Sequence, residues 1–158
     1  MRECVSIIMP AHNASKHLNE AISSVRSQTY TNWELLICDD GSTDDTARIV
    51  QLAAKSDARI LSFKNVNSMG AANARNKCLE HASGRYVAFL DADDIWLPQK
   101  LERQIQFIAE TKQPFVFGYC ENISENGKVL STVKAPKLVS FSTLLFCNFI
   151  PCLTVIYD

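Results

Sequence analysis

Asp91, Asp93 and Asp94 put three carboxylates within four positions, directly after the apolar run "RYVAFL" and shortly before Pro98. Like charges held this close repel, so a fold that keeps them needs the charge. Alternate side chains of an extended stretch point the same way, and Asp91 and Asp93 can therefore converge on one point. Two converging carboxylates are costly alone and become favourable around a divalent cation. Oxygen-only ligands suit Mg2+ or Mn2+, ions that commonly bridge carboxylates to phosphates. An aspartate capping the turn before Pro98 would explain Asp94, but hardly all three.

Three further polar sets could join this chemistry. "DDGSTDD" (39–45) begins with Asp39 and Asp40, whose carboxylates could accept hydrogen bonds from a base N–H or from ribose hydroxyls. In the same segment Gly41 permits a tight turn, and Ser42 with Asp45 matches a capping box, so capping accounts for residues 42–45 without any ligand. "NSMGAANARN" (67–76) opens a helix with small residues whose N-terminus favours an anion. Arg75, one turn in, can reach a phosphate or pair with an aspartate. The third set is Pro10, His12 and Asn13, where His12 could touch a ligand; His17 and His81 read as solvent-facing, and Trp33 and Trp96 as packing residues.

The elements that must position these residues alternate. Apolar strands are predicted at 4–10, 33–38, 58–63 and 85–90. Helical patterns follow each, with inward sets Leu18, Ile22 and Val25; Ile49, Leu52 and Ala53; Ala71, Ala74, Cys78 and Leu79; and Leu101, Ile105 and Ile108. Continuous apolar strands separated by amphipathic helices imply a parallel sheet covered on both faces. Every polar set then falls at a carboxyl strand end, where open α/β sheets bind ligands. After Pro114, "FVFGYCENI" and "KVLSTV" flank Asn126-Gly127, a hairpin signal that predicts a mixed sheet. Residues 138–157 carry no charge over about the length of a membrane span, but Ser140, Ser142, Asn148 and Pro151 interrupt them, which predicts a short helix and a buried strand.

The bulk properties exclude several classes. The chain has 158 residues, 47% hydrophobic and 21% charged, with a net charge of -1. That suits one folded domain with a substantial core, without a basic tract for nucleic acid. Six cysteines show no CxxC pair and no zinc spacing, which predicts buried free thiols in a reducing cytosol. The apolar run of "MRECVSIIMP" is too short for a signal peptide. No GxGxxG turn or P-loop is present, against an oxidoreductase or a P-loop enzyme. "DADDI" follows the fourth strand and lacks a threonine, against a DxD phosphohydrolase.

Taken together, "VSIIMPAHNASKHLNEAISSVRSQTYTNWELLICDDGSTDDT", "GAANARNKCLEHASGRYVAFLDADDIWLPQKLE" and "FSTLLFCNFIPCLTVIYD" resemble family 2 glycosyltransferases, in order and over nearly the whole chain. The resemblance implies the A-type, Rossmann-like nucleotide-diphospho-sugar transferase fold: a three-layer α/β/α sandwich around a mostly parallel, mixed sheet. It implies a UDP-sugar donor, a saccharide or lipid-linked acceptor, Mn2+ or Mg2+, and work in the cytoplasm at the inner face of a membrane with peripheral association. It also implies roles. Pro10, Ala11, His12 and Asn13 would lie against the nucleotide, and Asp40, with Asp39 beside it, would hydrogen-bond the base. Asp91 and Ala92 would lie near ribose and diphosphate, Asp93 would be the direct metal ligand with Asp91 its neighbour, and Arg75 would sit near the diphosphate or donor sugar.

Family members place an acidic general base well beyond the DxD and usually invert the anomeric centre. No such motif precedes Asp158, so the expectation is a donor-binding portion (1–112 nucleotide-binding repeats, 113–158 the start of the acceptor side) that binds nucleotide with little transfer. A catalytically inactive binding or interaction module is the competing expectation.

Overall fold

The computed structural model describes residues 3–136, 139–145 and 149–158. Cys147, Asn148 and Leu138, used above, lie outside the described residues. The elements run β1 (Val5–Ala11), α1 (Leu18–Arg26), β2 (Trp33–Asp40), α2 (Thr46–Ser56), β3 (Ile60–Asn65), α3 (Ala71–Leu79), β4 (Tyr86–Phe89), α4 (Lys100–Thr111), β5 (Phe115–Val116), β6 (Cys120–Ile123), β7 (Val129–Val133), α5 (Phe141–Leu144) and β8 (Ile156–Tyr157). The main sheet has the order β3-β2-β1-β4-β8-β5. Its first four strands are parallel; β8 runs antiparallel to both β4 and β5.

The alternation of strand side chains splits the core into two layers. Ile7, Met9, Leu35 and Ile37 pack against Leu18, Ile22 and Val25 of α1, Val50 and Ala53 of α2, and Leu101 and Ile108 of α4. Ile8, Leu36 and Cys38 pack against Ala74 and Cys78 of α3. β1 is buried at every position, as a central parallel strand covered on both faces must be. The three-layer α/β/α reading therefore stands.

Four details differ from the sequence reading. Leu52 is 55% exposed, and Val50 takes its inward place on α2. Ala71 is exposed at the start of α3, because the helix meets the sheet only from Ala74 onward. The Asn-Gly turn does make a hairpin, but β6 and β7 form a separate two-stranded sheet; β8 is what makes the main sheet mixed. The described cysteines are all free, yet only Cys38 and Cys78 are buried; Cys4 and Cys120 are half-buried and Cys152 is exposed. In the uncharged stretch the short helix α5 and the strand β8 both form. No helix among the described residues is long and apolar enough to cross a membrane.

Candidate active site

Strand order places the site. β2 and β3 add on one side of β1 and β4 on the other, and such a switch point opens a crevice at the carboxyl ends of the strands. A cavity of about 310 Å³ lies there. Pro10, Ala11, His12, Asn13, Ala14 and His17 line it from β1 and the turn after it, Asp40 from β2, Ala71 and Arg75 from α3, and Asp91, Ala92 and Asp93 from the loop after β4. One cleft thus gathers the residues the sequence pointed to at the carboxyl strand ends, except Asp39 and Asp94. Contrary to the sequence reading, His17 is half-buried and belongs to the wall.

Asp40 is 2% exposed, and its carboxylate accepts hydrogen bonds from Asn65 Nδ2 (2.6 Å), Ser68 Oγ (2.9 Å), Met69 N (3.0 Å) and Gly70 N (2.8 Å). Burial opposes the charge, but these donors together outweigh it and lower the carboxyl to about 2. Asp40 therefore ties the loop ahead of α3 to the end of β2. Asp39 is equally buried; its Oδ1 accepts from Ser42 N (3.1 Å), and its Oδ2 is buried without a hydrogen-bond partner. Of the two carboxylates, Asp39 is the one that keeps a spare oxygen. Gly41 lies between these two loops at φ 69°, and a Cβ there would fall 2.6 Å from Ser68 N and 2.8 Å from the Asn67 carbonyl carbon. Only a residue without a side chain lets the backbones meet this closely.

The β1 turn is held just as tightly. Asn13 adopts φ 48°; its N–H donates to Ser42 Oγ (2.9 Å) and its Oδ1 accepts from Thr43 N (2.9 Å). The His12 Nδ1 contact to the Asp40 carbonyl (2.8 Å) must be a donation by the ring, since a carbonyl only accepts. Nε2 then faces Asn13 Nδ2 at 3.3 Å. The expected capping box is absent: Ser42 turns to Asn13, and Asp45 makes no side-chain cap. Asp44 bonds Thr46 N (3.0 Å) and Ser15 N (3.1 Å) instead. The Thr46 hydroxyl, foremost, holds its carboxyl below the usual range.

After β4 the chain turns, with Asp94 N donating to the Asp91 carbonyl (3.1 Å). Arg75 Nη2 pairs with Asp91 Oδ1 at 2.6 Å, and Arg75 Nε is buried without a hydrogen-bond partner. Asp93 is exposed. Burial first, then the charges of Asp93 and Asp91, push the Asp94 carboxyl up to about 6. The turn thus concentrates negative charge that one arginine only partly offsets.

The sequence profile of glycosyl transferase family 2 matches residues 6–149. The chain belongs to that family. It is 46% identical over 154 residues to the UDP-Glc:alpha-D-GlcNAc-diphosphoundecaprenol beta-1,3-glucosyltransferase WfgD of Escherichia coli, covering 98% of this chain and 60% of that one. Among solved structures, S. aureus TarS 1-349 in complex with UDP-GlcNAc superposes with a TM-score of 0.77 over 99% of this chain and 45% of that one; at 24% identity the likeness is one of fold. The mannosyltransferase PcManGT of Pyrobaculum calidifontis, solved with GDP-Man and Mn2+, matches with a TM-score of 0.69 at 25% identity, over 77% of this chain and 36% of that one. The chain spans about three-fifths of the length of WfgD and of two other similar curated relatives.

Within this family 2 domain, the donor set suits a hard divalent ion: Asp91 and Asp93 line the cleft with oxygen ligands only, beside an under-compensated third carboxyl. Among the described residues no three His, Cys, Asp or Glu side chains converge to hold an ion unaided. An ion would therefore complete its shell with diphosphate oxygens and water. The sequence reading missed the residues that hold this loop. Ser24 and Gln28, buried polar residues four apart at the end of α1, bond the backbone around Trp96 and Leu97. The sequence signal for Ser24 is polarity on a helix face otherwise committed to the core; Gln28, just past the helix end, carries none.

Proposed function

We propose that this domain binds a UDP-sugar in the β1/β4 cleft with a divalent ion, as the donor-binding part of an enzyme that transfers the sugar with inversion to a saccharide or lipid-linked acceptor at the cytoplasmic face of a membrane. The observation that carries this is the meeting, in one crevice, of the Asp91–Asp93 carboxylates with Arg75 and the His12–Asn13 turn. WfgD, as its name states, uses UDP-Glc and a diphosphoundecaprenol-linked acceptor, and the 46% identity supports the same substrate classes here.

In this reading Pro10, Ala11, His12 and Asn13 form the wall against the nucleotide. Asp39, with its spare oxygen, and Asp40, through the loop it anchors, frame the base. Asp91 and Ala92 lie along ribose and diphosphate, and Asp93, with Asp91, holds Mn2+ or Mg2+. Held there, a divalent ion would supply charge neutralisation for the departing diphosphate. Arg75, already aligned by Asp91, adds a second positive group on the same leaving oxygens. Neither Asp40 nor Asp91 is the base that deprotonates the acceptor, since Asp40 is fully engaged and Asp91 is paired.

The test is calorimetric titration of UDP with and without Mn2+. Wild type binds more tightly with the metal, and Asp93→Ala loses at least tenfold of that gain while keeping the metal-free affinity. Equal affinities with and without Mn2+ in wild type would overturn the metal assignment, and absence of UDP binding would overturn the reading as a whole.

A further inference from the structure

The loop that carries the carboxylates has no ladder of its own. Leu90 N still bonds the Ile8 carbonyl (3.1 Å), and α4 begins at Lys100. Between these points the backbone is irregular, so something outside the loop must fix where Asp91, Asp93 and Asp94 stand. Arg75 of α3 pairs with Asp91 (2.6 Å) and Trp96 Nε1 donates to the Leu153 carbonyl (2.9 Å); the remaining contacts come from the end of α1. Ser24 Oγ donates to the Ala21 carbonyl (2.7 Å) and accepts from Trp96 N (3.2 Å). Thr29 N donates to the Pro98 carbonyl (2.9 Å).

Gln28 is the centre of this arrangement. It is 4% exposed. Its Nε2 donates to the Leu97 carbonyl (2.8 Å) and the Ser24 carbonyl (3.2 Å), and its Oε1 accepts from Leu101 N (3.1 Å). Both amide hydrogens and the amide oxygen are used, and flipping the group would set N–H against N–H, so only one orientation satisfies the set. The Leu101 N–H is one of the first-turn donors a helix cannot satisfy internally. Gln99, at the N-cap of α4, makes no side-chain cap bond. A glutamine just past the end of α1 therefore caps α4 and grips the loop ahead of it with the same side chain.

We infer that Gln28 is a positioning residue for the metal and diphosphate subsite: through Leu97 and Leu101 it fixes the loop that presents Asp91 and Asp93. It touches neither ligand. The inference rests on the proposed metal reading and deepens it. A cap alone would need only the oxygen, and a loop anchor alone only the nitrogen. Using both ties the start of α4 and the carboxylate loop to α1 as one unit, so a loosened Gln28 moves the aspartates relative to the β1 wall.

The experiment measures Mn2+ affinity by electron paramagnetic resonance of free Mn2+ in the presence of UDP, and UDP affinity in EDTA by calorimetry. The chains compared are wild type, Gln28→Leu, Ser24→Ala and Val50→Ala. Val50 is buried on α2, away from the loop, and its truncation controls for lost stability. Gln28→Leu is expected to weaken Mn2+ about tenfold and Ser24→Ala about threefold, each changing metal-free UDP affinity less than twofold; Val50→Ala shifts neither. If Gln28→Leu does not fold, Ser24→Ala alone decides, because it removes one bond from the same loop. Mn2+ affinities like wild type in the folded loop variants, or an equal loss in Val50→Ala, would overturn the inference while leaving the metal reading intact. No Mn2+ binding by wild type would overturn both.

Discussion

Residues at this site divide into those that face the cleft freely and those already spent on the protein. Asp40 belongs to the second group, which gives it two testable properties. Asp40→Ala strands the Met69 and Gly70 N–H groups it accepts from, at a cost of about 3 kcal/mol. That corresponds to a fall in Tm of about 9 °C by differential scanning calorimetry. Because its folded pKa of about 2 is depressed, its stabilising contribution is complete above the unfolded value of about 4 and is lost as pH falls through 2. The Asp40→Ala and wild-type Tm curves should therefore converge between those limits. Gly41→Ala brings a Cβ against Ser68 N at a left-handed φ; it should lower Tm by about 10 °C and weaken UDP binding by displacing the 67–70 loop. The acidic cluster was legible from spacing alone, since three adjacent carboxylates have few structural uses. The difference between Asp39 and Asp40 was not, because Asp40's partners at Asn65–Gly70 come from a loop that only the folded β2–β3 register brings near.

At the level of elements, strand and helix order could be read from apolar period. Inward faces were less secure. Leu52 fits the helical period, yet α2 packs at a roll angle that selects Val50, which no count of apolar positions resolves. The capping box failed for a related reason: Ser42 had a better donor across the turn in Asn13 N. At the other end of the sheet, Glu34 Oε1 accepts from Ser6 Oγ (2.6 Å), Ser83 N (2.6 Å) and Gly84 N (3.2 Å), joining β1, β2 and the α3–β4 link. Glu34→Ala should destabilise the fold by about 2 kcal/mol and leave the UDP dissociation constant within twofold. A large change in affinity would mean that the two ends of the sheet are coupled. By contrast, Lys16 and Glu125 are both largely exposed, and Glu125→Ala should leave Tm unchanged by differential scanning calorimetry.

For the molecule as a whole, the fold class was legible because strand-helix alternation leaves few topologies; the position of β8 was not, since two residues carry no periodicity. A ligand that binds only the native state adds about 2.7 kcal/mol at a hundredfold excess over its dissociation constant. UDP with Mn2+ at that excess should therefore raise Tm by about 8 °C, and GDP at equal concentration should raise it less.

The sheet order has one more consequence. β8 sits between β4 and β5, both of which precede it along the chain, so β5 has no partner until β8 arrives. A chain emerging from the ribosome must leave the flank of β4 bare until residues 156–157 have been made and threaded into the gap. Unpaired strand edges invite association between chains, so synthesis of this protein carries a window of vulnerability that closes only when those residues slot home, and a holding chaperone would be most useful during that interval.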